Sequence, residues 1–227
     1  MTTTRREFLV SLSAAAVACA GPKPEATDDS APGDTSPAGD SSAPLTCGAD
    51  DPIPDPCEGT PPVGEGPYYR ADVPERTSLN TTGETGYVIH LRLRLLDEAC
   101  APVAGAKVVI WQADQAGEYD NETDEYHWRG YTTTGEDGSF CFETLRPPPY
   151  TDGEGGFQPA HYHLKFIIDG VDTYTTQLYF TDDPWFELHP KAPQLIVTPE
   201  DDGTGTAGTI RYTFVLGWVD PNGDTGA

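Results

Sequence analysis

Apolar and polar positions alternate in short blocks over much of the chain beyond residue 59. Ile89, Leu91, Leu93 and Leu95 alternate with His90, Arg92 and Arg94, the period-two pattern of a strand with one buried face. Lys107–Trp111 is a second β-rich run, and Ser139–Glu143 follows the turn pair Asp137-Gly138. His161–Ile168 reads as a strand, and Asp169-Gly170 as the hairpin turn that leads into Thr173–Phe180. Ile210, Tyr212, Phe214, Leu216 and Trp218 alternate again near the end. No long helical period and no internal repeat stands out. Short strands with turn residues between them predict an all-β chain, a β-sandwich over residues 59–227.

The first 58 residues read differently. Thr4-Arg5-Arg6-Glu7-Phe8-Leu9 is a twin-arginine pattern, and an apolar stretch runs from Phe8 to Ala18. Residues 1–20 are therefore expected to be an export leader of the twin-arginine type. Its apolar run is shorter than the ~18 residues that a spanning helix needs. Ala16-Val17-Ala18-Cys19 has two readings. It resembles a lipobox, with Cys19 lipidated and the protein tethered to a membrane surface, and it also fits small-residue cleavage before Cys19. Residues 21–58 are rich in Pro, Asp, Ser, Gly and Thr and poor in large apolar side chains, so they read as a disordered acidic spacer. The expected location is the periplasm or the cell surface.

Charge and cysteine content narrow the function. The 227 residues carry 37 acidic and 13 basic side chains, a net charge of -24, which argues against a nucleic-acid partner. The cysteines are Cys19, Cys47, Cys57, Cys100 and Cys141. With Cys19 lipidated, four remain, and an exported chain can pair all of them. Of the three possible pairings, the expectation is Cys47 with Cys57 and Cys100 with Cys141.

Candidate chemistry concentrates between Gly117 and His163. His161-Tyr162-His163 places two imidazoles two residues apart, on one face of a strand. They read either as metal ligands or as two packing histidines. Asp152 and Glu154 lie in a Gly-rich loop and read as solvated. His90, His127 and His189, with Tyr126, Tyr131 and Tyr162, read as surface or packing residues. No Ser-His-Asp set or phosphate-binding loop is evident.

An ordered set of motifs resembles the intradiol ring-cleavage dioxygenases, which include catechol 1,2-dioxygenase and protocatechuate 3,4-dioxygenase. They are Gly64-Glu65-Gly66-Pro67-Tyr68-Tyr69, Val103-Ala104-Gly105-Ala106, Trp111-Gln112-Ala113-Asp114, Gly117-Glu118-Tyr119, Arg129-Gly130, Asp137-Gly138-Ser139-Phe140, Pro149-Tyr150, Pro159-Ala160-His161-Tyr162-His163 and Thr176-Gln177-Leu178-Tyr179-Phe180. The resemblance implies a β-sandwich holding one non-haem Fe(III). Its ligands would be Tyr119, Tyr150, His161 and His163, with Tyr150 and His163 axial and Tyr119 and His161 equatorial. The implied substrates are a catechol-type aromatic and O2. The ring would open between its two hydroxyl-bearing carbons to a muconate-type diacid, with Tyr150 leaving the metal to act as base. Two anionic phenolates favour ferric iron, and a metal charge lets buried phenols ionise.

Three departures accompany the match. Gln158 stands where the family has an arginine three residues before the first histidine, so electrostatic stabilisation of the reacting ring is weaker. Gln177 matches a glutamine beside the ligands, and Arg129 belongs to the family's Arg-Gly pair; either is a candidate to compensate. Tyr162 replaces a smaller aliphatic residue, and strand alternation points it away from the histidines. The helical dimerisation region of catechol 1,2-dioxygenases is missing before Gly64. Gln158 keeps open an iron- or aromatic-binding cell-surface module without turnover, beside a metal-free sandwich used for interaction.

Overall fold

A computed structural model describes Cys47 and residues 57–151, 156–185 and 193–217. The leader over 1–20 and the spacer over 21–58, apart from Cys47, Cys57 and Glu58, lie outside the described residues. So do Asp152, Glu154, His189 and Trp218.

The described residues are strand and loop, with one 3-10 turn at Pro193–Leu195. The strands are β1 (Val88–Leu96), β2 (Lys107–Trp111), β3 (Arg129–Thr133), β4 (Ser139–Leu145), β5 (Tyr150–Thr151), β6 (Phe157–Gln158), β7 (His161–Ile168), β8 (Val171–Phe180), β9 (Ile196–Val197), β10 (Glu200–Asp201) and β11 (Ala207–Val215). They form a four-stranded sheet in the order β10-β11-β1-β4, a five-stranded sheet in the order β3-β2-β7-β8-β9, and the ribbon β5-β6. The all-β expectation holds, and six expected strands appear as β1, β2, β4, β7, β8 and β11. Asp169 and Gly170 both have positive φ (52° and 76°), which makes the expected tight hairpin. Gly138 is required at its turn: its φ is +75°, and a Cβ there would lie 2.3 Å from the Leu95 carbonyl oxygen.

The core forms where the two sheets face each other. Ile89, Leu91, Leu93 and Leu95 of β1 point inward with Phe140, Phe142, Ile210 and Phe214. They meet Val108, Ile110, Tyr162, Leu164, Phe166, Leu178 and Phe180 from the larger sheet. Strand alternation sends the intervening residues to the other face of that sheet, and register aligns them. Trp111 is opposite both Arg129 and His163, and His163 is opposite Gln177, so four strands contribute one transverse row. His161 is opposite Tyr179 in the adjacent row. This second face is buried by loops, not by a sheet.

The disulfides differ from the expectation. Cys47 pairs with Cys141 (Cα–Cα 5.4 Å) and Cys57 with Cys100 (Cα–Cα 6.3 Å). Register explains why Cys100 cannot reach Cys141. Cys141 lies opposite Arg92, whereas Cys100 lies in the turn beyond Leu96, where β1 ends. Four strand rises separate those points, about 13 Å, against the ~7 Å limit for a disulfide. The bridges instead tie the chain upstream of residue 59 to the sandwich at two places.

Candidate metal centre

Three side chains converge on one point above the loop-covered face. Tyr119 Oη lies 3.3 Å from His161 Nε2 and 3.1 Å from His163 Nε2, and the two Nε2 atoms are 2.9 Å apart. The Tyr150 ring meets that of Tyr119 edge-on at 5.6 Å and lies 5.8 Å from that of His161. All four residues of the implied ligand set therefore come together.

Each is delivered by a local device. The histidines occupy alternate positions at the start of β7, so both point to one face. Tyr119 is bracketed by two side-chain-closed loops. Asp114 Oδ1 accepts from the amides of Ala116 and Glu118. Asp120 accepts from the amides of Glu122, Thr123 and His127. Burial acts to raise the Asp120 pKa, but bonds from Thr123, His127 and Glu122 outweigh it and hold the carboxyl at about 2. Tyr150 opens the short β5-β6 ribbon, directly opposite Gln158. Gly117 has φ +82°, and a Cβ there would come within 2.8 Å of Tyr150 Cβ, so only glycine lets this loop pass so close to the phenol.

The surrounding residues fix the donors. His161 Nδ1 donates to the Pro159 carbonyl at 2.7 Å, which leaves Nε2 with its lone pair facing the cluster. Trp111 stacks on His163 at 4.6 Å, with ring planes 5° apart. Tyr68 stacks on Tyr119 at 4.4 Å. Arg129 is fully buried. It donates to the Tyr68 carbonyl and to Asn121 Oδ1, and its guanidinium lies 6.0 Å from the Tyr119 ring centre. Gln177 donates to the Gly64 carbonyl at 3.1 Å and accepts from the Tyr179 hydroxyl at 2.5 Å. Tyr179 in turn lies 5.7 Å from His161. Arg129 and Gln177 thus stand beside the ligand set as holders of its neighbours.

The electrostatics fit a cation. Burial, then His161 and Arg129, push the His163 pKa well below its ordinary value, so the ring stays neutral. Burial and then Tyr150 push the Tyr119 pKa far up, against the pull of Arg129, so the phenol on its own keeps its proton. Two imidazoles meet at 2.9 Å, and His163 Nδ1 is buried with no partner. With the His161 proton on Nδ1, only the Tyr119 hydroxyl and a His163 N–H can serve the three contacts among Tyr119 Oη, His161 Nε2 and His163 Nε2, so at least one contact has no proton; a metal ion accepting all three lone pairs removes the mismatch. The donor set is nitrogen plus hard phenolic oxygen, which suits ferric iron. Among the described residues no three His, Cys, Asp or Glu side chains form an alternative metal cluster.

Tyr162, His90 and His127, read from the sequence as surface or packing residues, lie away from the cluster in packing and surface positions. Tyr162 is fully buried in the sandwich core, and its hydroxyl donates to the Leu145 carbonyl. His90 faces Glu143, and His127 bonds Thr81. Sequence reasoning passed over Tyr68, Trp111 and Tyr179 as participants. The signal for two of them was available: Trp111 ends a strand, and Tyr179 lies two residues beyond Gln177 on the same face.

The profile of the family described as "Dioxygenase" matches residues 64–217. A hydroxyquinol 1,2-dioxygenase of Rhizobium sp. is 33% identical over 142 residues, 53% of this chain and 47% of that protein. A chlorocatechol 1,2-dioxygenase of Rhodococcus opacus is 28% identical over 146 residues, 54% of this chain and 57% of the relative. The chain thus spans about half the length of these two relatives. Among solved structures, the dioxygenase domain of a dioxygenase–carbohydrate-binding fusion protein from Streptomyces sp. SirexAA-E superposes with a TM-score of 0.62 at 32% identity, over 71% of this chain and all of that one. The 3-chlorocatechol 1,2-dioxygenase of Rhodococcus opacus 1CP gives 0.61 at 29% identity, over 71% and 73%.

Proposed function

The chain belongs to the intradiol ring-cleavage dioxygenase family, and from that premise we propose that it is an exported non-haem Fe(III) enzyme that opens a catechol-type ring with O2 to a muconate-type diacid. One observation carries the reading: Tyr119 Oη, His161 Nε2 and His163 Nε2 lie within 2.9–3.3 Å of one another, with Tyr150 beside them.

Tyr119, Tyr150, His161 and His163 would hold the iron. When bound, the iron supplies a Lewis acid and template that draw both catechol oxygens to one place and couple the ring to O2. The protein's own residues prepare the rest. His163 presents a neutral nitrogen, and His161 presents its Nε2 with the Nδ1 proton held by the Pro159 carbonyl. Trp111 and Tyr68 cover His163 and Tyr119 and exclude water. Arg129 favours the ionised form of Tyr119. Tyr150, which borders both the donor cluster and an open cleft, is placed to take a catechol proton on Oη. Gln158, opposite Tyr150, offers a neutral amide where the family resemblance leads one to expect a charged guanidinium.

Iron-loaded protein should be red to burgundy from tyrosinate charge transfer, and Tyr119→Phe should remove most of that band. Anaerobic catechol should shift the band, and air should then start O2 uptake. An iron-supplied preparation that stays colourless would overturn the reading. A catechol-induced shift without O2 uptake would establish a binding module in place of the enzyme.

Export is part of the same proposal. The twin-arginine leader supports it, and so do two disulfides, which persist in oxidising compartments. Replacing Arg5 and Arg6 by lysine should retain the protein in the cytoplasm. Labelling with a radioactive fatty acid distinguishes a lipid on Cys19 from simple cleavage.

A further inference from the structure

Tyr150 has a second face. Beyond the donor cluster it lines a cleft of about 360 Å³, with Gly117, Glu118, Pro149, Phe157 and Trp185 among the other walls. That volume lies within the ~300–1,000 Å³ range of sites for drug-sized ligands, more than a single dihydroxylated ring occupies. Two features of the wall are not needed to hold iron. Phe157 and Trp185 stack face to face at 4.0 Å with planes 5° apart, and Phe157 is 39% exposed, large for an aromatic side chain. Trp185 is tied to the start of β7 by Asp183, itself only 5% exposed: its Oδ1 accepts from the Trp185 amide and its Oδ2 from the amide of Ala160, next to His161. Apart from Tyr150, Glu118 is the one ionisable side chain among the described residues lining the cleft, and it is acidic.

Resting on the ring-cleavage reading above, we infer that the preferred substrate is an uncharged catechol carrying a bulky apolar substituent. Its substituent packs on the Phe157–Trp185 shelf, and a ring carboxylate is turned away by Glu118. The physical terms point the same way. An aromatic group on an aromatic shelf gains its buried area plus ring-to-ring contact. A carboxylate in this cleft meets a like charge and, among the described lining residues, no cation to pair with. Gln158 adds to this, because a neutral amide stands beside Tyr150 where a guanidinium would attract anions.

The test compares three ligands on the iron-loaded, full-length protein without O2: catechol, 4-phenylcatechol and 3,4-dihydroxybenzoate. Affinity is read from the visible band and, independently, by calorimetry. The expected order is 4-phenylcatechol about tenfold tighter than catechol, and 3,4-dihydroxybenzoate about tenfold weaker. Phe157→Ala and, separately, Trp185→Ala should bring 4-phenylcatechol to within about threefold of catechol, and Glu118→Gln should do the same for 3,4-dihydroxybenzoate. Wild-type ratios below about threefold on either comparison, or preferences that survive the shelf variants, would overturn the inference alone. Failure of all three ligands to bind would overturn the ring-cleavage reading and this inference with it.

Discussion

The five-stranded sheet has two buried faces made by alternate residues of the same strands, and they differ in what covers them. On one face Tyr162, Leu164, Phe166, Leu178 and Phe180 meet the second sheet in a mainly apolar core, where the buried hydroxyls of Tyr162 and Thr176 donate to the Leu145 and Pro61 carbonyls. On the other, Arg129, Trp111, His163, Gln177, His161 and Tyr179 lie beneath loops that begin with the segment at Gly64. A sheet covers a sheet with side chains alone, so its partner face must be apolar. Loops bring backbone carbonyls and hydroxyls, so the face beneath them can be buried and polar together. Gly64, Tyr68 and Pro159 supply such carbonyls to Gln177, Arg129 and His161. Burial without an apolar partner surface is what makes this face able to hold an ion.

The comparison is broken most directly at two adjacent residues. His163→Gln, which keeps the buried volume filled, should lower iron affinity by at least ~100-fold, beyond the ~10–100-fold of losing an outer partner, while thermal unfolding of the iron-free protein at pH 7 changes little. Leu164→Ala, one residue on and on the other face, should cost ~2–5 kcal/mol in denaturant unfolding and keep the visible band after iron loading. Matching losses of iron and stability in both variants would show that the two faces are not separable.

The histidine face also makes the iron-free fold sensitive to acid. His163 has its pKa pushed well down by burial, so the folded ring stays neutral while the unfolded ring takes a proton below about 6.5. More protons on the unfolded chain mean that stability rises with pH. The contribution is present above about pH 6.5 and is lost as pH falls, at up to ~1.4 kcal/mol per pH unit from this one group. Urea titrations of iron-free protein at pH 7 and pH 5 should show the loss, and His163→Gln should flatten it. An unchanged slope in that variant would place the acid sensitivity elsewhere.

Much of the apolar face was legible in the sequence, because alternation and turn pairs record it directly: β1, β7, the Asp169-Gly170 hairpin and β8 follow from them. The strand Arg129–Thr133 was not, since Arg-Gly-Tyr-Thr-Thr has no alternation to reveal it and Gly130 argues against a strand. Nor was the parallel pairing of β1 with β11, which joins segments over a hundred residues apart. The disulfides were misjudged for the same reason: their pairing follows from register, not from spacing along the chain. Of the implied ligand set, the histidine pair stood out by its spacing, whereas the two tyrosines were legible only through motif resemblance. Tyr68 was missed because its place depends on what folds over the sheet.

A smaller effect is expected at Gln158. It lies opposite Tyr150 at the border of the polar face, and a guanidinium there adds a charge where the reacting ring develops one. Gln158→Arg should raise kcat on unsubstituted catechol by about tenfold, ~1.4 kcal/mol of barrier. Steady-state O2 uptake measures it, and an equal or lower rate would mean that this position does not limit turnover.

The smallest effect separates two buried phenols. Burial raises the pKa of both Tyr119 and Tyr162, so acidity alone does not distinguish them. Their neighbours do. The Tyr162 hydroxyl donates to the Leu145 carbonyl at 3.3 Å, in a face dominated by hydrocarbon. Tyr119 has two imidazole nitrogens within 3.3 Å and a second phenol alongside. Tyr162→Phe therefore deletes one long hydrogen bond and leaves the ring in its slot, a loss of about 1 kcal/mol in denaturant unfolding. The iron-loaded variant should keep the colour, the catechol-induced shift and the turnover of the parent. A diminished charge-transfer band in Tyr162→Phe would mean that the faces communicate through β7, and that residues 161 and 163 depend on the hydroxyl between them for their aim.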